Sequence, residues 1–158
     1  MVEIAGPRKR GRGVTPAPMP AGAPDWSKAL RHLRRDAVLK RVIRAEGPCT
    51  MVAVQREPYE ALVRAIAHQQ VHGRAAEAIL GRFLALFPAH AFPPPEMVLA
   101  TPVEAMRGCG FSHSKVAAIR DIAAKAAGGL VPSRAGAAAL DDAALIERLT
   151  AIRGVGRW

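Results

Sequence analysis

The fold is decided by the stretch Leu149-Thr150-Ala151-Ile152-Arg153-Gly154-Val155-Gly156-Arg157-Trp158, which ends the 158 residues. Leu149 and Ile152 are three residues apart, as apolar residues are on the last turn of a helix that buries one face. Glycine adopts a positive φ without a Cβ clash, so Gly154 and Gly156 allow a tight reversal of the chain. The pattern predicts a helix, a sharp turn and then the first turn of another helix.

This turn resembles the hairpin of a helix-hairpin-helix DNA-binding motif. Free backbone N–H groups at the start of a helix hold phosphate, and residues without side chains let a phosphate approach closely. We therefore expect DNA contacts from Gly154, Val155, Gly156 and Arg157. The alternative is an ordinary helix that ends at a glycine and is followed by a turn. The Gly-Val-Gly sequence alone would favour that alternative.

Composition predicts one domain, or most of one, because the chain has 158 residues and half of them are hydrophobic. The formal net charge is +10. Four cations against Glu3 place +3 of this charge in residues 1–24, so +7 falls on the remainder. A basic folded domain favours a polyanionic partner, most simply nucleic acid. A genome rich in Arg and Ala codons would produce the same composition.

Two classes of protein are disfavoured by the residues present. Cys49 and Cys109 are far apart and form no Cys-x-x-Cys spacing, which argues against a zinc ribbon or an iron–sulfur cluster. No apolar run is long enough to span a membrane, and the N-terminus lacks the apolar segment of a secretory signal. The sequence therefore favours a reduced intracellular protein without membrane contact.

The order of elements predicts an all-α fold. Residues 1–24 are rich in Pro, Gly and Arg and are predicted to form a disordered basic tail. From Asp25 onward, apolar residues recur at three- and four-residue spacings, which predicts roughly seven or eight short helices and no strands. Capping residues and prolines predict helix starts at Asp36, Pro58, Thr101, Ser114 and Asp141.

Three motifs in this order resemble the helix-hairpin-helix DNA glycosylases, and within them the DNA-3-methyladenine glycosylase II branch. The resemblance covers residues 36–158. The first motif is Ala65-Ile66-Ala67-His68-Gln69-Gln70-Val71 followed by Ala75-Ala76, the second is Met106-Arg107-Gly108-Cys109-Gly110-Phe111-Ser112-His113-Ser114-Lys115, and the third is the hairpin. The resemblance implies a multi-helix glycosylase domain that acts as a monomer on double-stranded DNA with alkylated bases, in the cytoplasm and associated with the nucleoid.

The resemblance also implies the chemistry. Such enzymes flip a damaged nucleotide out of the duplex and cut its N-glycosidic bond. The branches that also nick the strand have a lysine where this chain has Trp158. The resemblance therefore implies a monofunctional enzyme that uses water, with Trp158 in or beside the base pocket. An aromatic face there attracts a cationic alkylated base. The alternative for Trp158 is an aromatic core residue that packs the hairpin.

Gln69 and Gln70 match the family's loop that enters the minor groove, where Gln70 would fill the gap left by the extruded nucleotide. His72 is expected either to cap the next helix or to meet a phosphate. His68 and His72 have metal-ligand spacing, but Gln69 replaces the glutamate of a zinc-protease helix and no third ligand is evident, so we expect no metal site. Lys115 is expected to be structural, and the alternative is a contact with a phosphate. The resemblance allows a monovalent cation at hairpin carbonyls and implies no other cofactor.

The family's catalytic aspartate lies beyond the second hairpin helix, and none of the thirteen acids in this chain has that position. We therefore expect residues 25–158 to be an incomplete, C-terminally truncated domain that does not excise bases by itself. The main alternative is a non-catalytic helix-hairpin-helix DNA-binding module. A third interpretation is an all-α protein–protein module with incidental arginine content. The damaged bases accepted are not determined by the sequence.

Overall fold

The structure is a computed structural model that describes residues 25–47, 49 and 55–157. Within these ranges it contains only helices and no strand, which confirms the all-α prediction. The helices are α1 Ser27–Leu33, α2 Ala37–Glu46, α3 Pro58–His68, α4 Gly73–Ala85, α5 Pro95–Ala100, α6 Val103–Gly108, α7 His113–Ala127, α8 Arg134–Ala138 and α9 Asp142–Thr150. The described residues thus form nine helices rather than the predicted seven or eight, and the short α8 was missed. The predicted tail, residues 1–24, and Trp158 lie outside the described residues.

The chain divides into two compact units, Met1–Gln55 and Arg56–Trp158. In the first unit, α1 and α2 contain no buried residue. The Asp36 carboxylate accepts hydrogen bonds from the backbone N–H groups of Val38 and Leu39 at 2.8 and 2.9 Å. Gly47 follows α2 with a φ of +84°. The predicted start of this helix at Asp36 is therefore confirmed.

The core of the second unit is built around α7. This helix contacts α3, α5 and α6, and α3 also packs against α4. Phe83 meets Phe87 and Phe111 edge to face, with ring centroids 5.4 and 5.6 Å apart. The side chains that α7 buries on its inner face are Val116, Ala118, Ile119, Ile122 and Ala123. Because this face of α7 is buried in the core, residues on its other faces are available to contact the elements that follow it in the chain.

Pro58 and Asp141 begin or cap helices as predicted, but two predicted helix starts are wrong. Thr101 does not cap α6, because its hydroxyl donates to the carbonyl of Met97 at 2.7 Å and closes the end of α5. Pro102 is the residue that precedes α6, and a proline forces an extended conformation on the residue before it. Ser112, rather than Ser114, caps α7. No described helix has the length and apolar content needed to cross a bilayer.

Candidate nucleic-acid interface

The glutamine loop, residues 69–72, joins the end of α3 to the start of α4. All four residues are exposed. Gln70 has a φ of +55°, and it is the one non-glycine residue with a positive φ in the described parts of the chain. A side chain in this region costs conformational energy, and such residues concentrate at functional sites. The loop thus presents a strained Gln70 to solvent.

Contacts with nearby residues hold the glutamine loop at its base. The His72 Nδ1 accepts a hydrogen bond from the backbone N–H of Arg74 at 3.3 Å, so the predicted helix cap is confirmed. The His68 Nε2 lies 3.0 Å from the Glu77 Oε1. Across the described residues, no group of three or more His, Cys, Asp or Glu side chains is arranged to hold a metal ion. A phosphate contact by His72 stays a prediction.

The hairpin, residues 151–157, begins where α9 ends at Thr150. Ile152 is 2% exposed and anchors the hairpin in the core. The backbone N–H of Val155 donates to the carbonyl of Ile152 at 3.1 Å. Gly154 makes the reversal with a φ of +80°, whereas Gly156 has no positive φ. The tight turn predicted from two glycines therefore depends on Gly154.

Gly154 is also the point where the hairpin backbone touches the core. A Cβ atom at this position would lie 3.3 Å from the Ala118 Cβ and 3.3 Å from the Ile66 Cδ1. Both neighbours belong to packed helices, so neither moves away freely. A Cβ at Gly156 would meet nothing within 4 Å. Packing against the core therefore favours glycine at position 154 but places no such restriction on position 156.

The glutamine loop and the hairpin are hydrogen-bonded to each other. The Gln69 Nε2 donates to the carbonyl of Gly154 at 3.0 Å, although the two residues are 85 positions apart. A concavity of about 210 Å³ adjoins this contact and is lined by Ile66, Gln69, Ser114, Lys115, Ala118, Arg153 and Gly154. A neighbouring cleft of about 420 Å³ includes Gln70 and Val71 in its lining. Two motifs that the sequence placed in one interface are therefore adjacent in space.

Lys115 contacts the end of α3, directly before the glutamine loop. Its Nζ donates to the carbonyl of Ala67 at 2.8 Å, in the last turn of α3, where a cation is favourable. Burial lowers the pKa of the Lys115 ammonium below its ordinary value. The structural role predicted for Lys115 matches this contact. Arg74, Arg153 and Arg157 are exposed cations around the glutamine loop and the hairpin.

Sequence reasoning missed two residues of α7 that hold the hairpin. The Asp121 Oδ2 accepts a hydrogen bond from the backbone N–H of Arg153 at 2.7 Å. The Lys125 Nζ donates to the carbonyl of Ala151 at 2.6 Å and to the Asp121 Oδ2 at 2.7 Å. In the sequence, Asp and Lys four residues apart indicate only an ordinary pair on a helix surface. No local signal connects them with residues 26 and 32 positions later.

The remaining predicted site residues keep their status as predictions. Gly154, Gly156 and Arg157 are exposed and Val155 is half-buried, which is compatible with DNA contact at the hairpin. Trp158 lies outside the described residues. The carbonyls of Ala151 and Gly154 each accept one hydrogen bond, from Lys125 and Gln69, and a carbonyl oxygen has a second lone pair, so a monovalent cation at the hairpin stays a prediction.

Two known proteins are similar in sequence to this chain. The chain is 45% identical over 104 residues to DNA-3-methyladenine glycosylase 1 of Schizosaccharomyces pombe, covering 66% of this chain and 46% of that protein. It is 31% identical over 137 residues to the alkylbase DNA glycosidase-like protein mag2 of the same yeast, covering 85% of this chain and 64% of that protein. The chain therefore spans between about half and two thirds of these relatives.

Solved structures agree with the sequence comparison. The S. pombe 3-methyladenine DNA glycosylase in complex with abasic DNA superposes with a TM-score of 0.78 at 41% identity, covering 84% of this chain and 66% of that one. A DNA-3-methyladenine glycosidase from Bacillus halodurans gives a TM-score of 0.66 at 29% identity, covering 85% and 60%. Residues 63–158 match the model of the HhH-GPD superfamily. The chain belongs to the HhH-GPD superfamily of base excision DNA repair proteins.

Proposed function

We propose that this chain carries DNA-binding elements of a glycosylase that removes alkylated bases, of the 3-methyladenine type, from double-stranded DNA. The observation that carries the proposal is the hydrogen bond from the Gln69 Nε2 to the carbonyl of Gly154. It joins the glutamine loop to the hairpin, so that one surface offers both a polar side chain for the duplex and backbone N–H groups for a phosphate. The substrate class is supported by the names of the relatives.

The two elements divide the work of base flipping. Extruding a nucleotide costs a few kcal/mol of lost stacking and pairing. Phosphate contacts at the hairpin set the position of the protein on the duplex without reading sequence. The exposed Gln70 lines the 420 Å³ cleft and fills the vacated position in the stack. Both elements belong to one chain, so we propose that it acts as a monomer, and its proposed substrate would place it on chromosomal DNA in the nucleoid.

The chemical step is hydrolysis. Alkylation at a ring nitrogen makes the base cationic and a better leaving group, so the protein holds the flat cation while positive charge develops on the sugar. Trp158 is proposed to supply an aromatic face for that base, an attraction of about 1 kcal/mol that grows when water is excluded. Water is the nucleophile, since no lysine stands at this hairpin position to attack the sugar.

Binding to abasic duplex tests the role of the glutamine loop. The chain is expected to bind a duplex with a stable abasic-site analogue more tightly than an intact duplex, with an affinity that falls as salt is raised. Gln70→Ala is expected to reduce that preference. Gln55→Ala, which changes an exposed glutamine outside both elements, is the matched control. Equal binding to both duplexes, unchanged in Gln70→Ala, would contradict the proposal.

Base release separates an enzyme from a binding module. The product of the gene is to be incubated with methylated duplex DNA, and released bases measured by chromatography. Residues 1–158 alone are expected to release no base, whereas a product that also contains the family's catalytic aspartate is expected to release 3-methyladenine without strand cleavage. Tight, salt-dependent binding to abasic duplex without any release would instead favour a non-catalytic helix-hairpin-helix module.

A further inference from the structure

We propose that Asp121 and Lys125, on α7, are positioning residues that hold the hairpin in the conformation that receives a DNA phosphate. We call this pair the hairpin clasp. The inference rests on the proposed function, because it takes the hairpin as the phosphate-binding element. Neither residue belongs to the glutamine loop, the hairpin or the motif that runs from Met106 to Lys115.

The hairpin clasp contacts the hairpin backbone at two points. The Asp121 Oδ2 accepts from the N–H of Arg153 at 2.7 Å, and the Lys125 Nζ donates to the carbonyl of Ala151 at 2.6 Å. The two side chains are one turn apart on the same face of α7, and their charged atoms are 2.7 Å apart. The peptide groups on both sides of Ile152 are thereby held while that side chain is buried.

These contacts determine which hairpin N–H groups remain for a ligand. The N–H of Arg153 is taken by Asp121, and the N–H of Val155 donates to the carbonyl of Ile152. Within the described residues, the backbone N–H groups of Gly154, Gly156 and Arg157 have no protein acceptor. The clasp therefore holds the peptide groups on either side of Ile152 and leaves the N–H groups of Gly154, Gly156 and Arg157 available to a phosphate.

The charges of the clasp suit a neighbouring anion. A lone carboxylate beside the hairpin would repel a phosphate, but the Lys125 ammonium lies against it. Although burial raises the pKa of the Asp121 carboxyl, the hydrogen bonds from the Arg153 N–H and the Lys125 ammonium outweigh it and hold that pKa below its ordinary value. The Asp121 carboxyl is therefore ionised at physiological pH, and the Lys125 side chain that contacts it offsets its negative charge. Arg153 and Arg157 keep the hairpin surface positive.

An ordinary ion pair on the same kind of helix provides the comparison. Glu60 and Arg64, on α3, are also four residues apart with a 2.7 Å contact. Their side chains are about as exposed as those of Asp121 and Lys125, 24% and 22% against 28% and 29%. The Glu60 pair does not contact the hairpin. It therefore controls for the general effect of losing a helix ion pair.

The test measures the affinity of the chain for abasic-analogue duplex by fluorescence anisotropy, together with the amide ¹⁵N–¹H resonance of Arg153. Asp121→Ala and Lys125→Met are expected to weaken binding about tenfold, the effect of losing one hydrogen bond to a charged group. Asp121→Asn keeps an acceptor oxygen, so it is expected to restore most of the affinity and the Arg153 amide shift. Glu60→Ala is expected to leave both unchanged.

The outcomes separate this inference from the proposed function. If the wild-type chain binds DNA and Asp121→Ala binds equally well with an unmoved Arg153 resonance, the clasp is overturned. Equal weakening by Glu60→Ala also overturns it, because the effect is then one of general stability. If Asp121→Ala does not fold, the contrast between Asp121→Asn and Lys125→Met decides in the same way. Failure of the wild type to bind any duplex overturns the proposed function, while the Arg153 resonance still shows whether Asp121 holds the hairpin.

Discussion

The glutamine loop and the hairpin lie side by side on one surface, but they are held in different ways. Apart from the Gln69–Gly154 hydrogen bond that the two elements share, the glutamine loop is held by neighbours in sequence. His72 caps the helix that it precedes, and His68, directly before the loop, contacts Glu77, nine residues later. The hairpin is held by side chains 26, 32 and 85 residues away. Local contacts form wherever the helices form, whereas the hairpin depends on the assembled core. Mutations should therefore damage the hairpin more severely than the loop.

The largest effect is expected from Ile152→Ala. Ile152 is 2% exposed, and removing a buried Ile side chain costs about 2–4 kcal/mol because it leaves a cavity. The free energy of unfolding, measured by urea titration, should fall by that amount, and the hairpin should lose its anchor. Ile146→Ala is the control, since Ile146 on α9 is 36% exposed and should cost well under half as much.

Gly154→Ala is expected to cost about 2 kcal/mol. The substitution places a Cβ on a residue with a φ of +80° and within 3.3 Å of Ala118 and Ile66. A left-handed conformation alone costs an L-residue about 1–2 kcal/mol. Thermal unfolding should show a lower Tm for Gly154→Ala than for Gly156→Ala, whose added Cβ meets open space. Equal Tm values would show that Gly154 is not the turn that the hairpin requires.

His72→Ala tests the glutamine loop by removing the cap of α4. Loss of a side-chain cap costs about 1 kcal/mol. His72→Ser should keep most of this stability because serine is a strong capping residue, and the comparison is made by thermal unfolding. If His72→Ser restores stability but not affinity for abasic duplex, His72 has a second role in binding DNA.

The smallest change in stability is expected from Gln70→Gly. Glycine accepts the φ of +55° at this position without strain, and this gain offsets the greater freedom of the unfolded chain. The free energy of unfolding should change by less than about 0.5 kcal/mol, as for most surface substitutions. Affinity for abasic duplex should fall, because the side chain that fills the stack is gone. A marked loss of stability would mean that Gln70 holds the loop rather than serving DNA.

Much of the fold was predictable because helix signals are local. Asp36, Pro58 and Asp141 have the chemistry that helix starts require, and the structure places helix starts at each. Thr101 and Ser114 were misassigned because the residues that precede those two helices, Pro102 and Ser112, lie only one and two positions away. The short α8 was missed because five residues carry too little periodicity to be recognised.

The sequence by itself determined the all-α class, the family and the two elements of the candidate interface. The class rests on spacing and capping, whereas the family and the two elements rest on the resemblance of three short motifs to a known family; all are read from residues that are neighbours in the chain. Only the tertiary structure decided that Gln69 holds Gly154, and that Asp121 and Lys125 hold the residues on either side of Ile152. The physical reason is that a hydrogen bond across tens of residues exists only after the core has brought its two groups together, and neither group alone carries a mark of its partner.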